Sequence, residues 1–277
     1  MINAQLLLAT RPARSTVGLA TFVLEVPAYL WMELLTHKRF ARNASSARAQ
    51  SHKRHKAMGY YRPTQWYFGG DWMTPGAALD AERNAEVAAA VDVFYADQLR
   101  GIERIQEIAG GRLANEQINR LMSITRMMRG MMTGTEAAWR AMLALRTAPT
   151  ADAAMRDLAW DIQAQLDAAA WVDADHHVPY AQLSDTTYLA AAARIARISA
   201  GKPGSGQRPD EELGEALLRD GHWSPFEHIA QYTDLPHQSA LASMEDDIDG
   251  RGWGWETLRA TYERIWTEEH NHDHNNG

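Results

Sequence analysis

The apolar residues are grouped along the chain in a way that predicts a strand and a short helix near the N-terminus and a long helix after them. Residues 17–26 are rich in Val, Leu, Thr and Phe, which favours a β-strand, and we expect a helix at about residues 28–35. Residues 78–109 are predicted to form one long helix that ends at Gly110 and Gly111. The connection at residues 60–77 is rich in Gly, Pro and aromatic residues, which indicates irregular structure.

The next part of the chain is predicted to be almost entirely helical. From Asn115 onward, apolar residues recur at helical spacing, and Gly130 and Gly134 are possible kinks. The residues of this stripe are Ile118, Leu121, Met122, Met128, Met131 and Met132. A methionine stripe is more often part of a core or subunit interface than of a cofactor site. Two more helices are expected, at about residues 135–145 and 151–169.

A helical corner is predicted near the C-terminus, around the segment GHWSPFEH at residues 221–228. Residues 209–211 open a short helix, and the glycine at position 221 ends it. Ser224 and Glu227 occupy the cap and third positions of a new helix, so Ser224 is expected to accept from a backbone amide while Glu227 reaches back. The simplest interpretation is a capped helix with two surface histidines. Residues 198–208 are expected to form a flexible loop.

Composition limits the classes of protein that the chain can represent. With 277 residues, 45% hydrophobic and 23% charged, it can bury a full core, and we predict a single domain at residues 1–267 followed by a disordered polar tail at 268–277. The tail holds three histidines, but a polar terminus is more often disordered than metal-binding, so no metal site is predicted. Neither a membrane span nor an export signal is expected. The chain has no cysteine, which excludes disulfides, thiolate metal sites and a cysteine nucleophile.

A basic segment at residues 34–70 indicates an anionic partner. It contains no Asp or Glu in a chain whose formal net charge is -7. Its basic side chains are Lys38, Arg39, Arg42, Arg48, Lys53, Arg54, Lys56 and Arg62. Within it, Asn43 and Ser46 place an amide and a hydroxyl close to the guanidinium of Arg48, which suits a nucleotide phosphate. On charge alone a solvated loop is at least as good an interpretation. Nucleic acid is a third, which the acidic remainder of the chain disfavours.

Two arginines of the predicted helices stand among apolar neighbours. Arg120 and Arg146 must either find an anion or extend their charged ends to water, and the sequence leaves both alternatives open.

Four stretches, taken in order, resemble the flavin-dependent thymidylate synthases. They are LEVPAYLWMELLTHKRFARNASSARA, INRLM, ALRTAP followed by RDLA, and ARIARISAG leading into ALLRDGHWSPFEHIA. A shorter likeness, HHVPY, begins at His176. The resemblance is closest to the subgroup, frequent in phages and actinobacteria, that has the HxSPFEH element near the C-terminus.

The resemblance implies an α+β fold, a mixed sheet with long helices, and a homotetramer whose active sites are shared between subunits. It implies an enzyme that uses reduced FAD to transfer a methylene group from methylenetetrahydrofolate to carbon five of dUMP and then reduce it to dTMP, with NADPH reducing the flavin again. Such chemistry needs no protein nucleophile. The unrelated class of thymidylate synthase needs a cysteine and is therefore excluded. The implied location is the cytoplasm of a bacterium or phage-infected cell, with no membrane or nucleic-acid partner.

Matched by position, the resemblance also implies roles for individual residues. The nucleotide-binding positions are Glu33, Ser46, Arg48, Arg120 and Arg146. The flavin-binding positions are His37, Lys38, Asn43, Ser199, Ser224 and Glu227. Arg146 lies beside the pyrimidine carbonyl in this scheme, and His222 lies near the substrate and the folate, so these two are the predicted catalytic residues.

The chain departs from the family pattern mainly on the flavin side. Lys38 replaces an arginine and Ala41 a serine, while Ala141 and Ala148 replace an asparagine and a histidine. A lysine cannot reproduce a two-pronged guanidinium contact. Two alternatives to a working thymidylate synthase follow: a paralogue that performs another one-carbon transfer, such as hydroxymethylation of a pyrimidine nucleotide for modified DNA, and a nucleotide-binding protein that has lost FAD and catalysis.

Overall fold

The computed structural model describes residues 1–45, 50–70, 75–180, 187–199, 208–233, 254–259 and 262. These form an α+β fold, as the resemblance implies. The described strands form two antiparallel sheets, where a mixed sheet was expected. The larger sheet has the order β1-β2-β4-β3, and its strands are β1 Asn3–Thr10, β2 Leu19–Pro27, β3 Ala41–Ala44 and β4 Met127–Thr135. The smaller sheet has the order β5-β6-β7, with β5 His176–His177, β6 Ala230–Thr233 and β7 Gly254–Thr257.

Most of the predicted helices are present. The helices are α1 Ala28–Leu34, α2 His52–Met58, α3 Ala81–Ile108, α4 Asn115–Asn119, α5 Glu136–Arg146, α6 Ala153–Asp167, α7 Tyr188–Ser199 and α8 Asp210–Arg219. Side chains cap three of them: Asp80 accepts from the amide of Arg83, Thr135 from that of Ala138, and Asp152 from that of Ala154. Gly221 follows α8 with a φ of 70°, the left-handed conformation that glycine adopts most easily.

The methionine-rich segment is a central strand, so the prediction of a helix there was wrong. β4 pairs with β2 on one side and with β3 on the other, and all of its residues except Arg129 are buried. A strand that is buried on both faces has a nearly continuous apolar run, in which helical spacing arises by chance. The prediction that the methionines belong to the core was correct: Met131 and Met132 are fully buried, on opposite faces of the sheet.

The two glycines of β4 allow aromatic rings to approach the sheet; they are not helix kinks. A Cβ added to Gly130 would lie 2.5 Å from the ring of Trp31, and one added to Gly134 would lie 2.5 Å from the ring of Phe40. Both positions therefore require the smallest residue.

The larger sheet carries a hydrophobic core on each face. On one face, Phe22 and Trp139 pack together with their ring centroids 4.8 Å apart, within a core that includes the buried face of α6. On the other face, Met131 packs with Ile195 of α7 and Phe226. The sheet is thus the middle layer of three, which brings α7 and the segment around Phe226 next to β3 and β4.

A chain of hydrogen bonds crosses the buried region between the two sheets; we call it the Thr–His chain. Thr10 Oγ1 lies 3.0 Å from His177 Nδ1, and His177 Nε2 lies 2.7 Å from Thr21 Oγ1. Thr21 Oγ1 lies 2.6 Å from Thr133 Oγ1, which lies 2.7 Å from His228 Nδ1. All five residues are buried, so His228 is a core residue and not the surface histidine that its segment suggested.

The long helix α3 lies at the edge of the molecule. Of its residues, only Tyr95 and Ile102 are buried. No helix in the described ranges is long and apolar enough to cross a membrane.

Candidate functional site

Arg146 is held by two side chains of the segment that begins with α1; we call Glu33, His37 and Arg146 the Arg146 cluster. Arg146 is the last residue of α5, and its guanidinium forms an ion pair with Glu33 of α1. Its Nε donates to Nε2 of His37 at 2.9 Å. The side chains of Arg146 and Glu33 are 20% and 29% exposed, so the cluster is partly open to solvent. The structure therefore brings together two residues that the resemblance assigned to the nucleotide and one that it assigned to the flavin.

His37 is neutral in this cluster. Burial lowers the pKa of its imidazole, and the positive charges of Arg146 and Arg42 lower it further. Since Nε2 accepts a hydrogen bond from Arg146, we place the imidazole proton on Nδ1. Arg42 also donates to the carbonyl oxygens of Leu35 at 2.7 Å and of His37 at 3.3 Å, which fixes the turn after α1.

A second convergence joins β3 to the GHWSPFEH segment. Asn43 is buried, and its Nδ2 donates to the carbonyl oxygen of Ile195 at 3.4 Å. Ser224 Oγ donates to Asn43 Oδ1 at 3.5 Å, although the two residues are far apart in the sequence. Two of the predicted flavin-binding residues thus lie together, beside α7. Ser199 ends that helix, and its side chain lies outside the described residues.

The expected capping box in this segment is absent. Residues Ser224–His228 form a 3-10 helix in which Trp223 is the N-cap residue, with no side-chain cap bond. Ser224 is therefore the first helical residue, and its hydroxyl faces Asn43. Glu227 does not reach back; it forms an ion pair with Arg259, brought close by β7. A sequence pattern of capping residues cannot reveal these competing partners because they are distant in the chain.

The predicted phosphate-binding residues Ser46 and Arg48 lie outside the described residues, but the residues on either side of them are firmly held. Ser45 Oγ donates to the carbonyl oxygen of Arg129 at 2.9 Å and accepts from Gln50 Nε2 at 3.1 Å. Asn119 Nδ2 donates to the carbonyl oxygen of Gln50 at 2.8 Å. These bonds place the end of α4 beside Gln50.

Arg120 follows Asn119 directly and is exposed. Its role in binding a phosphate stays a prediction, because Ser46 and Arg48 lie outside the described residues. Within the part of the chain that the structure describes, Arg120 takes no part in the Arg146 cluster, since it bonds to neither Glu33 nor His37.

The remaining predicted residues belong neither to the Arg146 cluster nor to the pair formed by Asn43 and Ser224. Lys38 is exposed on the turn after α1, and His222 is exposed at the corner after α8. Ala41, which stands where the family pattern has serine, is buried opposite Thr133 in the β3–β4 ladder. Thus neither Lys38 nor Ala41 adds a polar contact to the group formed by Asn43 and Ser224.

Part of the basic segment is neutralised by α3. Lys56 forms an ion pair with Glu103, and Arg62 Nε lies 2.6 Å from Asp92 Oδ1. The charge that remains for a ligand is therefore smaller than the sequence suggested. Among the described residues, no group of three or more His, Asp or Glu side chains could hold a metal ion.

Comparison with known proteins identifies the family. The model of the family described as thymidylate synthase complementing protein matches residues 17–170, more than half of the chain, so this chain belongs to that family. The match confirms the resemblance seen in the sequence and, with it, the prediction of an enzyme of the methyltransferase class. The comparison with curated protein sequences gave no match.

Solved structures are similar in fold at low sequence identity. A UMP/dUMP methylase, PolB, from Streptomyces cacaoi, bound with 5-Br UMP, superimposes with a TM-score of 0.50 and 14% identity over 59% of this chain and 87% of that chain. A flavin dependent thymidylate synthase, ThyX, from Helicobacter pylori, complexed with FAD and dUMP, gives a TM-score of 0.36 and 16% identity over 52% of this chain and 66% of that chain.

Proposed function

We propose that this protein is a flavin-dependent thymidylate synthase, which converts dUMP to dTMP with methylenetetrahydrofolate as the carbon donor and NADPH as the reductant. The observation that carries the proposal is the Arg146 cluster, in a chain that belongs to this family. A guanidinium fixed by Glu33 and His37 keeps its position during the reaction, so it stabilises negative charge on the pyrimidine without first having to reorganise. The remaining exposure of Arg146 leaves room for a ligand.

The residues on the flavin side fit a bound FAD in part. Asn43 and Ser224 lie together and would supply an amide and a hydroxyl to it. His37 would contribute separately, from its place beside Arg146. When bound, FAD supplies the one-carbon carrier and the hydride. Lys38 would add positive charge toward its phosphates from an exposed position, and Ser199 would contribute from the end of α7. Glu227 would act only through Arg259, its present partner.

The nucleotide phosphate is assigned to Ser46, Arg48 and Arg120. Asn119 of α4 donates to the carbonyl oxygen of Gln50. This contact supports the assignment because Arg120 directly follows Asn119 in the sequence, and Gln50 is two residues from Arg48. Two guanidinium groups and a hydroxyl suit a phosphate monoester. His222 is assigned to the folate and substrate side, where its exposure leaves it accessible.

The proposed assembly is a homotetramer with shared active sites. The exposed face of α3 supports it: Phe94, Ile105 and Ile108 lie on one side of the helix and are 59%, 41% and 73% exposed. An apolar stripe of this kind is typical of a subunit interface.

A second candidate is a paralogue that acts on a related pyrimidine nucleotide or releases a hydroxymethyl product. The environments of Lys38 and Ala41 favour it, because one is exposed and the other is buried without a polar group where the family pattern has arginine and serine. Both candidates use the same nucleotide site. They differ in the last step, in which the transferred carbon is either reduced to a methyl group or released as a hydroxymethyl group.

A flavin and product assay tests the proposal. We expect the purified protein to be yellow and to bleach with NADPH, and to convert dUMP and methylenetetrahydrofolate to a product with the mass of dTMP. A product with the mass of hydroxymethyl-dUMP, or turnover of UMP in preference to dUMP, would favour the second candidate. A colourless protein that FAD does not reconstitute would contradict both.

Replacement of Arg48 by Ala tests the phosphate site separately. We expect the Kd for dUMP to rise about 10- to 100-fold, the usual cost of losing a hydrogen-bonded charge, with flavin content unchanged. Calorimetric titration with dUMP and with deoxyuridine would measure it, because deoxyuridine lacks the phosphate and its affinity should not change. Equal losses for both ligands would place the phosphate elsewhere.

A further inference from the structure

A group of buried polar atoms without hydrogen-bond partners lies where α2, α3 and the start of β4 meet. His55 of α2 is 2% exposed, and neither of its ring nitrogens has a partner. The hydroxyl of Tyr60 and the Nε of Arg126 are also buried and without a partner. Buried polar atoms of this kind are rare in folded proteins, because each costs about as much free energy as a lost hydrogen bond.

These three side chains belong to one place in the fold. Tyr60 and Arg126 face each other across an isolated antiparallel bridge, and the amide of Met127 donates to the carbonyl oxygen of Gly59 at 2.9 Å, which joins the end of α2 to β4. Helix α2, which carries His55, packs against β4, which begins directly after Arg126. Burial lowers the pKa of His55 to about 4, and the charge of Arg126 lowers it further. The ring of Tyr60 stacks on Tyr95 of α3 at 4.4 Å.

The group has a net positive charge. At neutral pH His55 is uncharged, because its pKa is about 4, and Tyr60 is uncharged, because burial raises its pKa. Burial lowers the pKa of Arg126, as expected for a cation removed from water. Its Nη1 donates to the carbonyl oxygen of Ser123 at 3.3 Å, and no carboxylate of the described residues pairs with it. One positive charge therefore remains without a counterion.

We propose that His55, Tyr60 and Arg126 form an internal binding site for a small inorganic monoanion of the size of chloride. The side chains offer three donors, namely an imidazole N–H, a phenolic O–H and the guanidinium Nε–H, and one unit of charge to be neutralised. Because the donor atoms are closed off from solvent, the site excludes a phosphate ester or other large anion. Bound there, the anion would hold α2 against β4.

The anion dependence of the melting temperature tests this site. We would compare the full-length protein in potassium chloride and potassium gluconate at equal ionic strength, and expect a Tm about 3 °C higher in chloride at tenfold the dissociation constant. Arg126→Gln should remove this difference, and Tyr60→Phe should reduce it by deleting one donor. Arg104→Gln is the matched control: this arginine pairs with Glu107 on the surface of α3, so the variant should keep the difference and reveal any general salt effect.

A second measurement does not depend on the variants. Crystals of the wild-type protein grown in bromide should give an anomalous peak within hydrogen-bonding distance of Arg126 Nε and Tyr60 Oη. Equal melting temperatures in chloride and gluconate, or a site that holds only water in the bromide crystals, would overturn the proposal.

Discussion

The Arg146 cluster and the Thr–His chain each contain histidine, but they differ in charge and in access to solvent. The Arg146 cluster holds an ion pair and a neutral imidazole, and Arg146 and Glu33 keep part of their surface exposed. The Thr–His chain is uncharged and closed: His177 and His228 are fully buried, and burial lowers the pKa of each to about 3. The first can exchange partners with a ligand, whereas the second can only hold the protein together.

The direction of the hydrogen bonds explains how two neutral histidines can be buried in the Thr–His chain. His228 Nε2 is buried and has no partner, so we assign the imidazole proton to Nδ1, which then donates to Thr133. Thr133 can donate to Thr21, and Thr21 to Nε2 of His177. The sequence of bonds is then complete with both rings neutral, and only one lone pair is left unsatisfied. A proton added to His177 Nε2 would break this order, and one added to His228 Nε2 would create a buried N–H without an acceptor.

The comparison predicts, first, a large loss of stability in acid. Below pH 6.5 the unfolded chain binds protons on His177 and His228, while the folded protein does not until pH falls to about 3. The unfolded state therefore binds more protons, and stability falls as pH falls through this window, by about 3 kcal/mol for each histidine at pH 4, with no effect of these groups above pH 6.5. Urea unfolding between pH 4 and pH 8 would measure this loss. A free energy of unfolding that does not change with pH would contradict the burial of the two neutral histidines in the Thr–His chain.

The second prediction concerns the Arg146 cluster. Arg146→Ala should lower kcat about 100- to 1000-fold, the usual cost of removing a fixed electrostatic contact to the reacting group, while flavin stays bound. Single-turnover kinetics with flavin absorbance would measure both. Arg140→Ala is the control, since it removes an arginine of the same helix that pairs with Asp167 at the surface, and it should keep full activity. Unchanged turnover in the Arg146 variant would exclude it from catalysis.

Thr133→Val removes a hydroxyl from the Thr–His chain and replaces it with a side chain of the same shape. We expect a loss of about 2 to 4 kcal/mol in the free energy of unfolding, because Thr21 and His228 both lose a buried partner. Thr147→Val provides a comparison, because that half-buried hydroxyl bonds only to the carbonyl oxygen of Leu143. If denaturant unfolding gave the same small loss in the free energy of unfolding for both variants, the Thr–His chain would contribute little to the stability of the protein.

The smallest effect is expected for Arg62, which belongs neither to the Arg146 cluster nor to the Thr–His chain. Arg62→Gln breaks an exposed ion pair with Asp92 and should change the free energy of unfolding by no more than about 0.5 kcal/mol. Thermal unfolding at low and high salt would detect it. A loss that persists in high salt would mean that the pair has a structural role beyond its surface charge.

The sequence alone was informative wherever local signals decide the outcome. Helices α3, α5 and α6 were predicted close to their observed bounds because local sequence patterns define them. In the structure each begins at a side-chain cap that the prediction did not use, namely Asp80, Thr135 and Asp152. The site residues came mostly from the family resemblance; local physics alone favoured a basic loop and a capped helix. The structure places Glu33, His37 and Arg146 together, and the roles that the resemblance gives them stay predictions.

Only the tertiary structure decided the features that depend on distant partners. β4 is a strand because β2 and β3 lie on either side of it, and Met131 and Met132 give the same apolar pattern in a buried strand as in a helix. Ser224 turns toward Asn43 instead of capping a helix, because β3 is packed against it. Helix starts are set by residues within one turn of each other, whereas sheet pairing and buried hydrogen bonds join segments separated by much of the chain, and no local pattern records which segments will meet.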